Sequence, residues 1–403
     1  MNRVLTGLLT VACCSCGLSA VSGAEAPAKA DAKYVQRFLA IFPMVYPAPS
    51  LGQYATVERF DQLFLGAALD KNLKDPTDDE GVLAWWLTYY IRALDDMHRA
   101  TGDVKYLNAS LRIVRAAVAN TDDKRGVALF TGHIVPAWGS DKYAERGRAV
   151  LSVNTGLICA ALLDFLLEAR QDPAFDAALG DERTIILDTA LQALEVHEHK
   201  WRTGPERGAG YYVGMGEENS LENKSIPGNR QSAMGWAFWL AYNYTGGTAY
   251  RDRGLAVGRY IRDRLVPSPD GSYYWPYRLS HYPVTEVLPR NAIQGEDTAH
   301  AGLTMALPFA LAADGQLFTK RDMDALAGMV TNGLARLGGG IFMGDVTGNP
   351  YSHPGRTRLV TNWLPLGRYN FQITREVVSF FLNYRPNPEP IELASLILLQ
   401  AGL

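Results

Sequence analysis

From residue 83 to residue 99 the apolar positions fall three and four residues apart: Leu83, Trp86, Leu87, Tyr90, Ile91, Leu94 and Met97. That spacing puts them on one face of a helix. The same period recurs over 106–118, 149–168, 184–197, 231–244, 251–265, 298–312, 321–337, 371–384 and 391–399. Earlier runs at 34–42 and 57–73 flank the break Pro47-Ala48-Pro49. Strand-like alternation is scarce and brief, so the pattern predicts an all-α protein.

Short polar turns punctuate these helices. Ala100-Thr101-Gly102-Asp103, Gln171-Asp172-Pro173, Thr245-Gly246-Gly247, Ala313-Asp314-Gly315 and Pro386-Asn387-Pro388 recur at roughly 70-residue intervals. Two share a local pattern, Thr101-Gly102-Asp103-Val104-Lys105-Tyr106 and Thr245-Gly246-Gly247-Thr248-Ala249-Tyr250. A repeat of one helix hairpin plus one connection follows. Repeated hairpins stack into an open solenoid or close into a ring. The connections at 121–148, 200–230, 266–297 and 338–370 are long, irregular and rich in Gly and aromatics, which suits functional loops on a compact domain. The expectation is one (α/α) toroid (barrel) of about six helix hairpins over 32–403, with the long loops at one end. Residues entering the inner helices from those loops converge on one cleft.

Charge changes the picture by exclusion. With 39 Lys and Arg against 42 Asp and Glu, the net charge of -3 is mixed in sign and argues against a nucleic-acid partner. Residues 1–24 read as an export signal: Arg3 precedes an apolar run, and Ser22-Gly23-Ala24 offers small residues at the cleavage position. Thr10-Val11-Ala12-Cys13 loosely matches a lipobox, so a periplasmic or secreted protein, or one lipid-anchored through Cys13, is expected. The apolar run is too short for a mature transmembrane helix. After cleavage only Cys159 remains, in an apolar helical stretch, and reads as a buried small hydrophobe.

The densest chemistry lies in 266–297. It holds Tyr273-Tyr274-Trp275-Pro276-Tyr277-Arg278, then His281, Arg290 and Glu296-Asp297-Thr298-Ala299-His300. Aromatic rings stack on sugar faces and arginines fork onto carboxylates. Asp297 suits a helix N-cap, and His300 one turn later suits proton transfer. The loop at 200–230 brings Tyr211-Tyr212, Glu217-Glu218, Glu222 and Arg230. The loop at 121–148 brings Trp138, with Asn154 inside the next helix. The loop at 338–370 brings His353, Arg356, Arg358, Arg368 and Tyr369. An acidic run at 75–80 reads as solvated, and His197-Glu198-His199 as the polar side of a helix end. No HExxH, Cys/His cluster or GxSxG elbow occurs, and Gly338-Gly339-Gly340 lacks the lysine of a phosphate loop. No metal or cofactor is expected.

The hairpin rhythm, Asn229-Arg230 opening a Trp-rich helix, the Tyr-Trp-Pro-Tyr-Arg stretch and Glu-Asp-Thr-Ala-His opening another helix resemble the (α/α)-toroid carbohydrate-active enzymes. Among these the alginate and glucuronan lyases are nearest in kind. The resemblance implies Tyr and His proton transfer, with Asn and Arg neutralising a uronate carboxylate.

The leading expectation is therefore a polysaccharide lyase acting by β-elimination on an anionic polysaccharide. Tyr277 and His300 move the proton, and Asn154 with Arg230 or Arg278 holds the carboxylate. Trp275, Tyr274, Arg290, Glu296, Trp138, Arg356, Arg358 and Tyr369 bind substrate. The alternative is a glycoside hydrolase of the same architecture, using Glu296 or Asp297 with Glu222 or Asp79 opposite. A uronate C5-epimerase is a variant of the first, and a glycan-binding protein without turnover is the third class.

Overall fold

The structure is a computed structural model that describes residues 27–216, 221–280 and 282–402. The expected export leader at 1–24, with Cys13, and Glu217, Glu218 and His281 lie outside the described residues. Among the described residues the chain is helical, with two short antiparallel strand pairs confined to the long connections: β1 (Trp201–Thr203) with β2 (Gly210–Tyr212), and β3 (Val266–Pro267) with β4 (Tyr273–Tyr274).

Helices α1 (Pro27–Ile41) and α2 (Val57–Phe64) precede α3 (Thr88–Thr101), which a π turn at Leu83–Leu87 leads into. Then follow α4 (Val104–Ala119), α5 (Ser152–Ala169), α6 (Glu182–Glu195), α7 (Gly228–Thr245), α8 (Thr248–Arg262), α9 (Thr298–Thr304), α10 (Ala306–Ala313), α11 (Lys320–Met329), α12 (Phe371–Tyr384) and α13 (Pro390–Gln400). Packing closes a ring of inner elements: α3 on α5, α5 on α7, α7 on α9 and α10, α9 on a 3-10 segment at Val360–Arg368, that segment on α13, and α13 back on α3. Helices α4, α6, α8, α11 and α12 lie outside them. The fold is the (α/α) toroid.

Amphipathicity sorts inner from outer. Inner α5 is apolar all round because neighbours cover every side. It is long and apolar enough to cross a membrane, but 89% of it is buried inside the protein. Outer α4 keeps one apolar face, with Tyr106, Leu107, Ile113 and Val114 turned inward. At the α5–α7 seam the backbones touch closely. A Cβ added at Gly156 would lie 2.6 Å from the Ala233 carbonyl carbon. Cys159 is buried in the same helix, its thiol donating to the Ala190 carbonyl at 3.3 Å.

Two expectations need correction. The run at 298–312 is two helices, because Pro308 has no N–H to bond the Thr304 carbonyl. The connection 338–370 contains an inner element of its own, the 3-10 segment with Pro365 inside it, which no 3.6-residue period reveals. The N-terminal runs belong to the ring closure: Phe38 and Phe42 of α1 meet Phe380 of α12 edge-on, and α2 packs on α13.

Candidate active site

The site is built where the connection 266–297 meets α9. Asp297 is the N-cap: its Oδ1 accepts the His300 backbone N–H at 3.2 Å. Its Oδ2 lies 2.7 Å from His300 Nδ1. One carboxylate thus starts the helix and sets the imidazole tautomer, with the proton on Nδ1 and Nε2 left as acceptor. Burial alone would raise the Asp297 carboxyl, but the His300 hydrogen bonds and charge outweigh it and hold the group below its ordinary value. The His300 side chain is 39% exposed and that of Asp297 14%. Both face a cavity of about 590 Å³ that Tyr277, Arg278 and Arg356 also line. The Tyr277 ring centroid is 5.3 Å from that of His300.

The other wall comes from the π turn ahead of α3. The Trp85 ring stands edge-on to His300, with centroids 6.5 Å apart. Its Nε1 donates to Asn154 Oδ1 at 3.2 Å, and Asn154 Nδ2 donates to Asp78 Oδ2 at 2.6 Å. Asp78 Oδ1 accepts the Ala84 N–H at 2.9 Å, which anchors the turn. Burial pushes the Asp78 carboxyl up to about 7 against those two hydrogen bonds. Asp79 is its opposite. Arg125 grips both of its oxygens at 2.7 Å, Arg148 adds a contact at 2.7 Å, and the carboxyl is held down at about 2. Arg148 also pairs with fully buried Asp122 at 2.7 Å, tying the connection 121–148 to this wall.

The structure brings Tyr277, Arg278, His300, Arg356 and Asp297 into one cleft at the long-loop end. Arg230 sits half-buried in the first turn of α7, where the Gly228 N–H donates to the Tyr277 carbonyl at 3.2 Å. Other expected residues serve the framework. Asn154 is fully buried, with its amide engaged at both ends, and is not offered to a substrate carboxylate. Trp275 is fully buried, and its Nε1 donates at 2.5 Å to Glu296 Oε2, which also accepts from Thr304 Oγ1 at 2.7 Å. Glu296 is likewise buried, its carboxyl pushed up to about 8 by burial. Tyr274 is buried and bonds the Pro289 carbonyl, while Trp138 is buried and bonds that of Ala117. Arg290 ties Asp270 to the Val346 carbonyl. Arg358 pairs with Glu389, outside the cleft lining, and Tyr369 lies at the short-turn end between the 3-10 segment and α12. Glu222 accepts the Gly216 N–H at 2.7 Å within its own loop.

Sequence reasoning missed Asp78 and Trp85. The acidic run is not simply solvated, since Asp78 is 1% exposed and capped from both sides. Nor is His197 on a polar face: it is fully buried between Thr155 and Ser152, and burial lowers its pKa. Among the described residues no group of three or more His, Cys, Asp or Glu side chains could hold a metal ion.

No protein-family model matches the sequence, and no curated protein matches it either. Among solved structures the chain is similar to the alpha-1,6-mannanase GH76A of Salegentibacter sp. HEL1_6. An inactive double-aspartate variant of that enzyme, in complex with alpha-1,6-mannotriose, is 13% identical, with 93% of this chain and 98% of that chain covered and a TM-score of 0.48. The unmodified mannanase is 12% identical at the same coverage and TM-score. So low an identity and so partial a superposition transfer no residue role to the present chain. The neighbours are nevertheless glycoside hydrolases and not lyases. The expectation of a polysaccharide lyase, with its alginate and glucuronan subtype, is corrected on that finding.

Proposed function

We propose that the protein is a glycoside hydrolase whose cleft takes an anionic glycan. One observation carries the reading: Asp297 is hydrogen-bonded to the part-exposed His300 imidazole at the wall of a cleft that Tyr277, Arg278 and Arg356 also line. Hydrolysis of a glycosidic bond needs an acid to protonate the leaving oxygen and an ionised group to activate water. Asp297 at the cleft wall is the ionised group, and His300 Nε2 beside it receives a proton from water. Tyr277 on the same lining is the acid that protonates the leaving oxygen. Asp78 positions the site from behind the wall: it holds Asn154, which holds the Trp85 indole edge-on to His300. Arg278 and Arg356 on the cleft supply the preference for carboxylate-bearing sugars, and the Tyr277 ring supplies a stacking face.

The test is a reducing-end assay on purified protein with polyuronates and a neutral alpha-1,6-mannan, run alongside absorbance for unsaturated sugars. New reducing ends without that absorbance are expected. Asp297→Asn is expected to lose about 100-fold or more, and Asp78→Asn, which acts only through Asn154 and Trp85, about tenfold. An unsaturated product, or full activity in both variants, overturns the reading.

A further inference from the structure

We propose that the cavity enclosed by the inner ring is a second binding site, for a small organic anion with an apolar or ring-bearing body. It measures about 580 Å³, within the range of small-molecule sites, and shares no lining residue with the cleft. Arg92 of α3 projects into it. Its guanidinium carbon lies 4.7 Å from the Trp236 ring centroid and 5.9 Å from that of Tyr89. Among the described residues no acceptor within hydrogen-bond or ion-pair distance meets its N–H groups. Arg368, at the exposed end of the 3-10 segment, is in the same position. The one acid on the lining, Asp96, is engaged by Arg99 at 2.9 Å. Thr361 is 4% exposed, lines the cavity and has a hydroxyl with no partner.

A guanidinium presents five donors and no acceptor, so held over an aromatic face it is an incomplete anion site. Phe309, Leu364 and Leu398 supply apolar wall for the rest of a ligand. An apolar plug separates this space from the cleft: Leu303 and Ala306 line the cavity and pack with Trp85, whose ring meets His300. Leu398 is shared with a surface depression bounded by His98, Gly102 and Gln171, at the short-turn end. The entrance is therefore opposite the cleft, and the ligand is distinct from the glycan proposed above.

The probe is 8-anilinonaphthalene-1-sulfonate, an aromatic sulfonate, titrated by fluorescence into the folded protein. Saturable one-to-one binding is expected, displaced by benzoate and not by benzamide. Arg92→Gln is expected to weaken it about tenfold, the scale of a lost charge-assisted hydrogen bond. Arg368→Gln, at the rim, and Ser395→Phe, which fills the space, are expected to weaken it without disturbing near-ultraviolet dichroism, and they decide the matter if Arg92→Gln does not fold. Asp297→Asn is expected to bind the probe as the parent does, even where glycan turnover is lost. Unchanged affinity in Arg368→Gln and Ser395→Phe, equal displacement by benzamide, or displacement by oligosaccharide overturns the proposal.

Discussion

Asp297 shows how much one side chain can set. It caps α9, fixes the His300 tautomer and faces the cleft as an anion. The pH dependence of turnover follows from its environment and that of Asp78. Asp297 is ionised at pH values above its lowered pKa. Asp78 keeps its proton until about 7, where burial has moved it. Activity is therefore expected to be lost at acid pH as Asp297 takes up a proton, and to fall as pH passes about 7, where Asp78 ionises inside the wall that positions His300. A pH–rate profile of kcat/KM checks this, and a flat profile through pH 7 would remove Asp78 from the positioning role. His300→Gln is expected to reduce kcat more than it raises KM, because it removes a proton acceptor while leaving Arg278 and Arg356 on the cleft. The His300–Asp297 pair was legible in the sequence, since an N-cap and the residue three later share one turn. Which carboxylate of Glu296-Asp297 faces outward was not. That choice depends on the Trp275 and Thr304 donors that capture Glu296 inside the core.

At the level of elements, the long connections are held by buried charge pairs that no local pattern announces. Arg148 joins Asp122 on the connection 121–148 to Asp79 on the opposite wall. Its side chain is 8% exposed and that of Asp122 is not exposed at all. Arg148→Gln would strand a buried carboxylate, with an expected loss of about 3 kcal/mol in urea unfolding. Asp122→Asn with Arg148→Gln should recover part of that loss, which a double-mutant cycle reads directly. The same logic explains what was legible. Helices α3, α5 and α7 stood out because their periods are long and their turns polar. The 3-10 segment at Val360–Arg368 did not, because Pro365 and the three-residue turn erase the helical period. Asp78 read as solvated because charge runs usually are, and only the fold shows that Ala84 and Asn154 surround it.

For the molecule as a whole, ring closure fixes both stability and its dependence on pH. Gly156→Leu is expected to unfold the ring at the α5–α7 seam, because the added side chain would meet the Ala233 and Met234 backbone, which cannot move aside. Glu296 acts on the same scale, since it joins Trp275, Thr304 and the start of α9 inside the core. Its carboxyl titrates near its ordinary value of 4.5 in the unfolded chain and at about 8 in the folded one. Below pH 4.5 both states carry the proton and burial of this group costs little. Between 4.5 and 8 the unfolded chain has released a proton that the folded chain keeps, so stability falls as pH rises through that window. Asp78 acts in the same direction from 3.8 to about 7. Glu296→Gln keeps an acceptor for Trp275 and Thr304 and cannot ionise. Its melting temperature relative to the parent is therefore expected to be nearly level at pH 4 and to climb steadily to pH 8. A difference that shrank with rising pH would mean that Glu296 is ionised in the folded core, with its charge stabilised by the Trp275 and Thr304 donors instead of being suppressed by burial.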